Sequence, residues 1–236
     1  MAFDFQTFRT RAVTATVFVI LMLAGLLWNA WGFITLFTII HFGCWYEFIK
    51  LVKKMNLKKF EYYLPLGLVY ITLPVLMMIC FGFPYTNHWL YQKGYGDAFQ
   101  YSPVIPCAII FSLWINDTMA YIVGSLIGKT PLSKISPKKT WEGTIGGAIL
   151  AILAIGFVGR TVSFGSAQQT SIYFFIAAIC AVFGTLGDLL ESKLKRLANV
   201  KDSGTVMPGH GGFLDRFDSL LIATISVGVY YFFFMR

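Results

Sequence analysis

Seven stretches of this chain approach the length of about 20 apolar residues that a helix needs to cross the hydrocarbon of a bilayer. They are residues 12–28, 31–48, 63–81, 104–127, 143–162, 172–190 and 214–234. In hydrocarbon every backbone N–H and C=O must find its partner within the protein, and an apolar run of this length does so as a helix. Composition agrees. Of the 236 residues, 57% are hydrophobic and only 13% charged, too little charge to coat a soluble domain. The expected fold class is therefore all-α: a polytopic membrane helical bundle of about seven transmembrane helices. Residues 1–236 are read as a single integral membrane domain. Residues 1–110 supply N-terminal spans, and residues 111–236 supply the spans and inner loops that hold the polar motifs. Arg9 and Arg11 before the first run superficially resemble a secretory signal, but the run is long and Trp28 stands where small residues would be expected. It is read as a retained first span.

The basic residues predict an orientation. With the N-terminus inside, 16 of the 19 Lys and Arg fall on the inner side, leaving Lys93, Arg160 and Arg236 outside. That bias predicts N-in and C-out. The formal net charge of +8 is read as orientation and contact with anionic headgroups of membrane lipids, not as a nucleic-acid surface. Cys44, Cys80, Cys107 and Cys180 form no CxxC pair, so neither a zinc site nor a disulfide framework is indicated.

The chain has 11 acidic residues, and seven crowd its second half: Asp117, Glu142, Asp188, Glu191, Asp202, Asp215 and Asp218. All fall at or near the inner ends of the last four spans. Ionisable groups in spans are expensive and usually mark function. Such a cluster among lysines and arginines suggests a metal–phosphate site. Asp215 and Asp218 are spaced i, i+3 and share a helix face. Hard oxygen ligands at that spacing suit Mg²⁺, but spacing alone favours a cap on the N-terminus of the last helix. Glu191 and Lys195 read as an i, i+4 ion pair, whereas Asp188 sits deeper in apolar sequence. Glu47 is read as ending the second span at the inner interface.

Two loops offer phosphate contacts. One holds Lys201, Asp202, Ser203, Gly204, His210, Gly211 and Gly212, whose glycines permit close backbone approach to a ligand and read equally well as a flexible connector. The other runs through Pro131, Ser136, Pro137, Lys138, Lys139 and Thr140 to Trp141, and taken alone reads as an ordinary basic inner loop. Asn116 and Asp117 put a polar face on the fourth span.

Taken together, residues 192–218 resemble the signature of the phosphatidate cytidylyltransferases, also called CDP-diacylglycerol synthases. The match rests on Ser192, Leu194, Lys195, Arg196, Lys201, Asp202, Gly204, Pro208, His210, Gly211, Gly212, Phe213, Asp215, Arg216, Phe217 and Asp218. Met207 stands where Leu, Ile or Phe is usual. Asn116-Asp117-Thr118, the run Ser136-Pro137-Lys138-Lys139-Thr140-Trp141-Glu142-Gly143, and Gly187-Asp188 with Glu191-Ser192 are similar to that family as well. The resemblance implies a nucleotidyltransferase of phospholipid biosynthesis that takes CTP and phosphatidate and gives CDP-diacylglycerol and pyrophosphate. It implies Mg²⁺, with room for a second metal ion, held by Asp188, Asp215 and Asp218. Lys201 and Asp202 join these as catalytic candidates. Substrate binding is assigned to Ser136, Lys138, Lys139, Thr140, Asn116, Asp117, Ser192, Lys195, Arg196, His210, Gly211, Gly212 and Arg216. The expected setting is the bacterial inner membrane with the site facing the cytoplasm, and a homodimer is the expected assembly. A CTP-dependent kinase of a polyprenol or phytol is the alternative; its lipid product would carry only a phosphate.

Overall fold

The computed structural model describes residues 5–55, 60–83, 101–162, 167–206 and 211–234. The described residues are mostly helical: α1 (Phe5–Leu27), α2 (Ala30–Lys54), α3 (Leu73–Gly82), α4 (Val104–Ile127), α5 (Trp141–Val162), α6 (Ala167–Leu197) and α7 (Leu214–Phe234). A 3₁₀ turn at Phe60–Tyr63 and a π turn at Leu68–Thr72 lead into α3. No strand occurs among the described residues; one isolated bridge joins Pro131 to Thr140.

Six helical segments are long and apolar enough to cross a membrane: Ala30–Lys54, Phe60–Gly82, Val104–Ile127, Trp141–Val162, Thr170–Leu197 and Leu214–Phe234. The apolar part of α1, Ala12–Leu27, is shorter. Each of the seven expected runs thus lies on a helix. The main difference is at α6, which continues to Leu197 rather than ending near residue 190. The i, i+4 ion pair expected between Glu191 and Lys195 lies in this extension. Ser192, Lys195 and Arg196 are therefore helical residues.

The bundle reverses the usual distribution of polarity. Leu126, Leu153, Phe157 and Phe233 face outward, while Glu47, Asn116, Glu191 and Asp218 are buried. Buried hydroxyls turn back on their own helices: Ser112 donates to the Ala108 carbonyl at 2.6 Å, Thr185 to Ala181 at 2.8 Å and Thr224 to Leu220 at 2.7 Å. The most extensive packing joins α4 with α5 and α6 with α7, followed by α5 with α6. Small residues make this possible. A Cβ on Gly147 of α5 would come within 2.7 Å of both the Ala120 nitrogen and the Asn116 carbonyl of α4. One on Gly187 of α6 would lie 2.6 Å from the Asp218 carbonyl of α7. Backbone thus meets backbone between α4 and α5 and between α6 and α7.

Gly147→Val should force α4 and α5 apart and destabilise the protein by about 1–3 kcal/mol. Thermal unfolding in detergent should show this as a fall in Tm of roughly 2–10 °C, while Ile149→Val on the exposed face of the same helix leaves Tm unchanged.

Candidate functional site

The C-terminal halves of α4 and α6, the start of α7 and the segment between α4 and α5 enclose a cavity of about 550 Å³. That segment is a closed loop. Leu132 N–H donates to the Lys139 carbonyl at 2.7 Å, and Trp141 N–H to Thr130 at 2.9 Å. Glu142, in the first turn of α5, reaches back to accept from the amides of Lys129 and Thr130 at 3.1 Å each. Its carboxylate therefore shapes the loop from outside the cavity wall. The prolines at 131 and 137 keep the segment from becoming helix. The loop turns Ser136, Lys138, Lys139 and Thr140 into the cavity, opposite Asn116 and Asp117 of α4.

The remaining wall comes from α6 and the start of α7: Asp188, Lys195, Asp202, Asp215, Arg216 and Asp218. Asp188 pairs with Lys139 across the cavity and accepts from the Ser192 hydroxyl at 3.3 Å. Asp218 is buried and accepts from the Ser219 amide at 2.6 Å. Oxygens of Asp188, Glu191 and Asp218 all lie within 4.8 Å of one another. Glu191 is fully buried; it forms an ion pair with Lys195, yet neither of its oxygens receives a hydrogen bond of good geometry. Glu191 thus has Lys195 as its charge partner while its oxygens keep capacity to share in holding a cation. Three hard oxygens at this separation suit a divalent metal.

Asp215 is disposed differently. Its Oδ1 accepts from Lys195 Nζ at 2.6 Å. Its Oδ2 accepts from the amides of Ser203 at 2.9 Å and Gly212 at 2.8 Å, and lies 2.9 Å from the Ser203 hydroxyl. This is the capping role that its spacing suggests, at the edge of the metal-compatible group and outside it. Gly211 has a φ of +86°, a conformation that glycine adopts without strain. A Cβ there would also strike Asp215 Oδ2 at 2.5 Å.

The structure thus brings together Ser136, Lys138, Lys139, Thr140, Asn116, Asp117, Asp188, Lys195, Asp202, Asp215, Arg216 and Asp218, with Ser192 behind Asp188. Gly211 and Gly212 wrap Asp215. Arg196 and Lys201 are exposed and do not line the cavity. His210 lies outside the described residues. Two buried participants escape a reading by spacing. Ser203 sits in a loop whose composition suggests a flexible connector. Glu47 is placed by its sequence position at the interface, yet is 1% exposed and bonded to the start of α7. The one sequence signal for Glu47 is an acid flanked by Tyr46 and Phe48 inside an apolar run.

A second cavity, of about 240 Å³, adjoins the first behind the start of α7. Asp117, Arg216 and Asp218 form its polar end; Phe18, Met22 and Trp114 form its apolar end. The two cavities meet at Asp218.

A model of the cytidylyltransferase family matches residues 72–234. The chain is 44% identical over 129 residues to the phosphatidate cytidylyltransferase of Helicobacter pylori strain J99, covering 53% of this chain and 47% of that protein. It is 47% identical over 119 residues to the phosphatidate cytidylyltransferase of Bacillus subtilis, covering 49% and 41%. It is 36% identical over 169 residues to that of Rickettsia conorii, covering 68% and 65%. The matches thus span about half the length of the first two relatives and just under two thirds of the third.

Lys195 neutralises both Glu191 and Asp215 from the centre of this wall. Lys195→Met should leave two buried carboxylates unpaired, at about 3–5 kcal/mol. A Tm lower by roughly 6 °C or more should follow, with no change for Lys193→Met at an exposed position of the same helix.

Proposed function

The chain belongs to the cytidylyltransferase family, and from that premise we propose that it transfers CMP from CTP to phosphatidate, giving CDP-diacylglycerol and pyrophosphate. The observation that carries this reading is that a polar cavity lined by both cations and carboxylates shares Asp117, Asp215, Arg216 and Asp218 with a smaller amphipathic one, Asp218 being also one of the three clustered acids. A triphosphate needs cations and hydroxyls, which Lys138, Lys139, Ser136, Thr140 and Arg216 supply in the larger cavity. A lipid phosphate needs a polar end joined to an apolar one, as in the cavity running from Asp218 to Phe18 and Met22.

The chemistry asks for positioning more than for covalent help. A phosphatidate oxygen bonds to the α-phosphorus of CTP while the bond from that phosphorus to the bridging oxygen breaks, and pyrophosphate departs with the bonding pair. No strong base is required, because a phosphate monoester is already anionic near pH 7. Lys139 and Arg216 hold charge on the phosphate oxygens. Lys195 keeps Asp215 fixed and so keeps the start of α7 in register with Asp188. Asp188, Glu191 and Asp218 fit a divalent cation, since the buried oxygens of Glu191 lack hydrogen bonds of their own. Bound there, Mg²⁺ would neutralise the charge that builds on the phosphate oxygens during transfer. Asp215 contributes from the edge of that group, through its proximity to Asp218 on one helix face.

The positive-inside bias supports an N-in, C-out orientation, with the site open to the cytoplasm, where CTP is found. We assign the protein to a bacterial inner membrane on the same basis, with the bacterial relatives in support.

Purified protein given CTP, phosphatidate and Mg²⁺ should release pyrophosphate and yield a lipid bearing CMP. A chelator should stop the reaction and Mg²⁺ should restore it. Asp218→Asn and Asp188→Asn should each lower kcat by about 10²–10³-fold, the scale of one preorganised electrostatic contact. Normal turnover in either variant overturns its role. A lipid product carrying only phosphate would identify a CTP-dependent lipid kinase instead.

A further inference from the structure

Glu47 lies on α2, upstream of the segment that the family model matches, which begins at residue 72. It is nevertheless bonded to the catalytic end of the bundle. Its Oε1 accepts from the Phe213 amide at 3.0 Å, and its Oε2 from the Leu214 amide at 2.9 Å. These are orphan donors at the N-terminus of α7, so Glu47 caps that helix from 167 residues away in sequence. The Ser203 hydroxyl lies 2.7 Å from Glu47 Oε2 and 2.9 Å from Asp215 Oδ2, and carries one proton for the two carboxylates. The Asp215 amide in turn donates to that hydroxyl at 3.3 Å. The loop is built to fit the carboxylate. A Cβ on Gly204 would come within 2.1 Å of Glu47 Oε1, and one on Gly212 within 2.2 Å of both its oxygens. Among the described residues, the hydrogen-bond donors to this buried acid are Ser203, Phe213 and Leu214.

We infer that Glu47 is a positioning residue for the transfer reaction: through Ser203 and the first amides of α7 it sets where Asp215 and Asp218 stand. This rests on the cytidylyltransferase reading given above. A carboxylate is required because two backbone N–H groups and a hydroxyl converge on it, and a carboxamide offers one acceptor oxygen and turns its NH₂ toward the remaining donors. The opposite wall, where Ser136 to Thr140 would meet the nucleotide, has no contact with Glu47. Loss of the carboxylate should therefore slow the chemical step and spare nucleotide affinity.

Two readouts test this in the full-length protein in detergent. Amide deuterium exchange over residues 211–217 reports the cap, and kcat against KM for CTP reports positioning. Glu47→Gln should speed exchange in that segment about tenfold or more and lower kcat by about tenfold to a hundredfold, with KM for CTP within about twofold of the parent. Gly204→Ala, which crowds the carboxylate without removing it, should show the same split more weakly. Unchanged exchange in Glu47→Gln overturns the inference. So does faster exchange with unaltered kcat, which would make Glu47 a fold clip alone, or a fall in kcat accompanied by a matching rise in KM. If Glu47→Gln is not monodisperse, Gly204→Ala decides on the same readouts; failure of both to fold assigns Glu47 a purely structural role. A parent protein inactive toward CTP and phosphatidate sinks the cytidylyltransferase reading and with it the positioning role, while the exchange data still report whether the cap exists.

Discussion

The first turn of α7 is the constraint on which the rest of the site depends. A helix start leaves its amides without intrahelical partners, and those that the bundle buries need acceptors from the protein itself. Here two carboxylates divide the task. Asp215 takes the Gly212 amide and Glu47 takes those of Phe213 and Leu214. One carboxylate is local and the other comes from α2, so the position of the turn is fixed from two directions. Asp218, one turn further on, inherits that position, and with it the distance to Asp188 and Glu191.

Charge balance explains why so many ionised groups are tolerated at one end of an apolar bundle. Lys195 stands between Glu191 and Asp215, and Lys139 closes on Asp188 from the loop between α4 and α5. Asp188, Glu191 and Asp215 each have a lysine, whereas the buried Asp218 has the Ser219 amide and no cation partner among the described ion pairs. The two lysines thus leave the acidic group with more negative than positive charge. That arrangement suits a site that takes in a metal and polyanionic phosphates together. Backbone contact at Gly187 keeps α6 and α7, which carry Asp188, Glu191 and Asp218, too close for the cluster to spread.

Much of this was legible in the residues. Apolar run length located all seven helices, because hydrocarbon leaves the backbone no other solution. Clustering of carboxylates near one membrane face located the cavity. The i, i+3 spacing of Asp215 and Asp218 supported two roles, and the hydrogen bonds of Asp215 describe the capping one. Spacing could not reveal Glu47, whose partners lie more than 150 residues away; a contact of that range is set by tertiary packing and leaves no local period. The extension of α6 past residue 190 was legible in part: hydropathy ends the span near there, while the i, i+4 spacing of Glu191 and Lys195 marks a helical turn beyond it.

The π turn at Leu68–Thr72 has a consequence for the phase of the helix that follows. There the Leu73 amide reaches back five residues to the Leu68 carbonyl, so the segment contains one residue more than an α-helix of the same rise. One residue corresponds to about 100° of rotation at 3.6 residues per turn. Val75, Met78 and Phe81, which point into the core, owe their facing to that added residue. Thr72 anchors the adjustment, its hydroxyl meeting His41 at 3.0 Å and Trp45 at 2.9 Å. The turn thus acts as a phase shifter: wound as α-helix throughout, the same sequence would turn α3 by about 100° and bring Met77 and Cys80 toward the places of Met78 and Phe81.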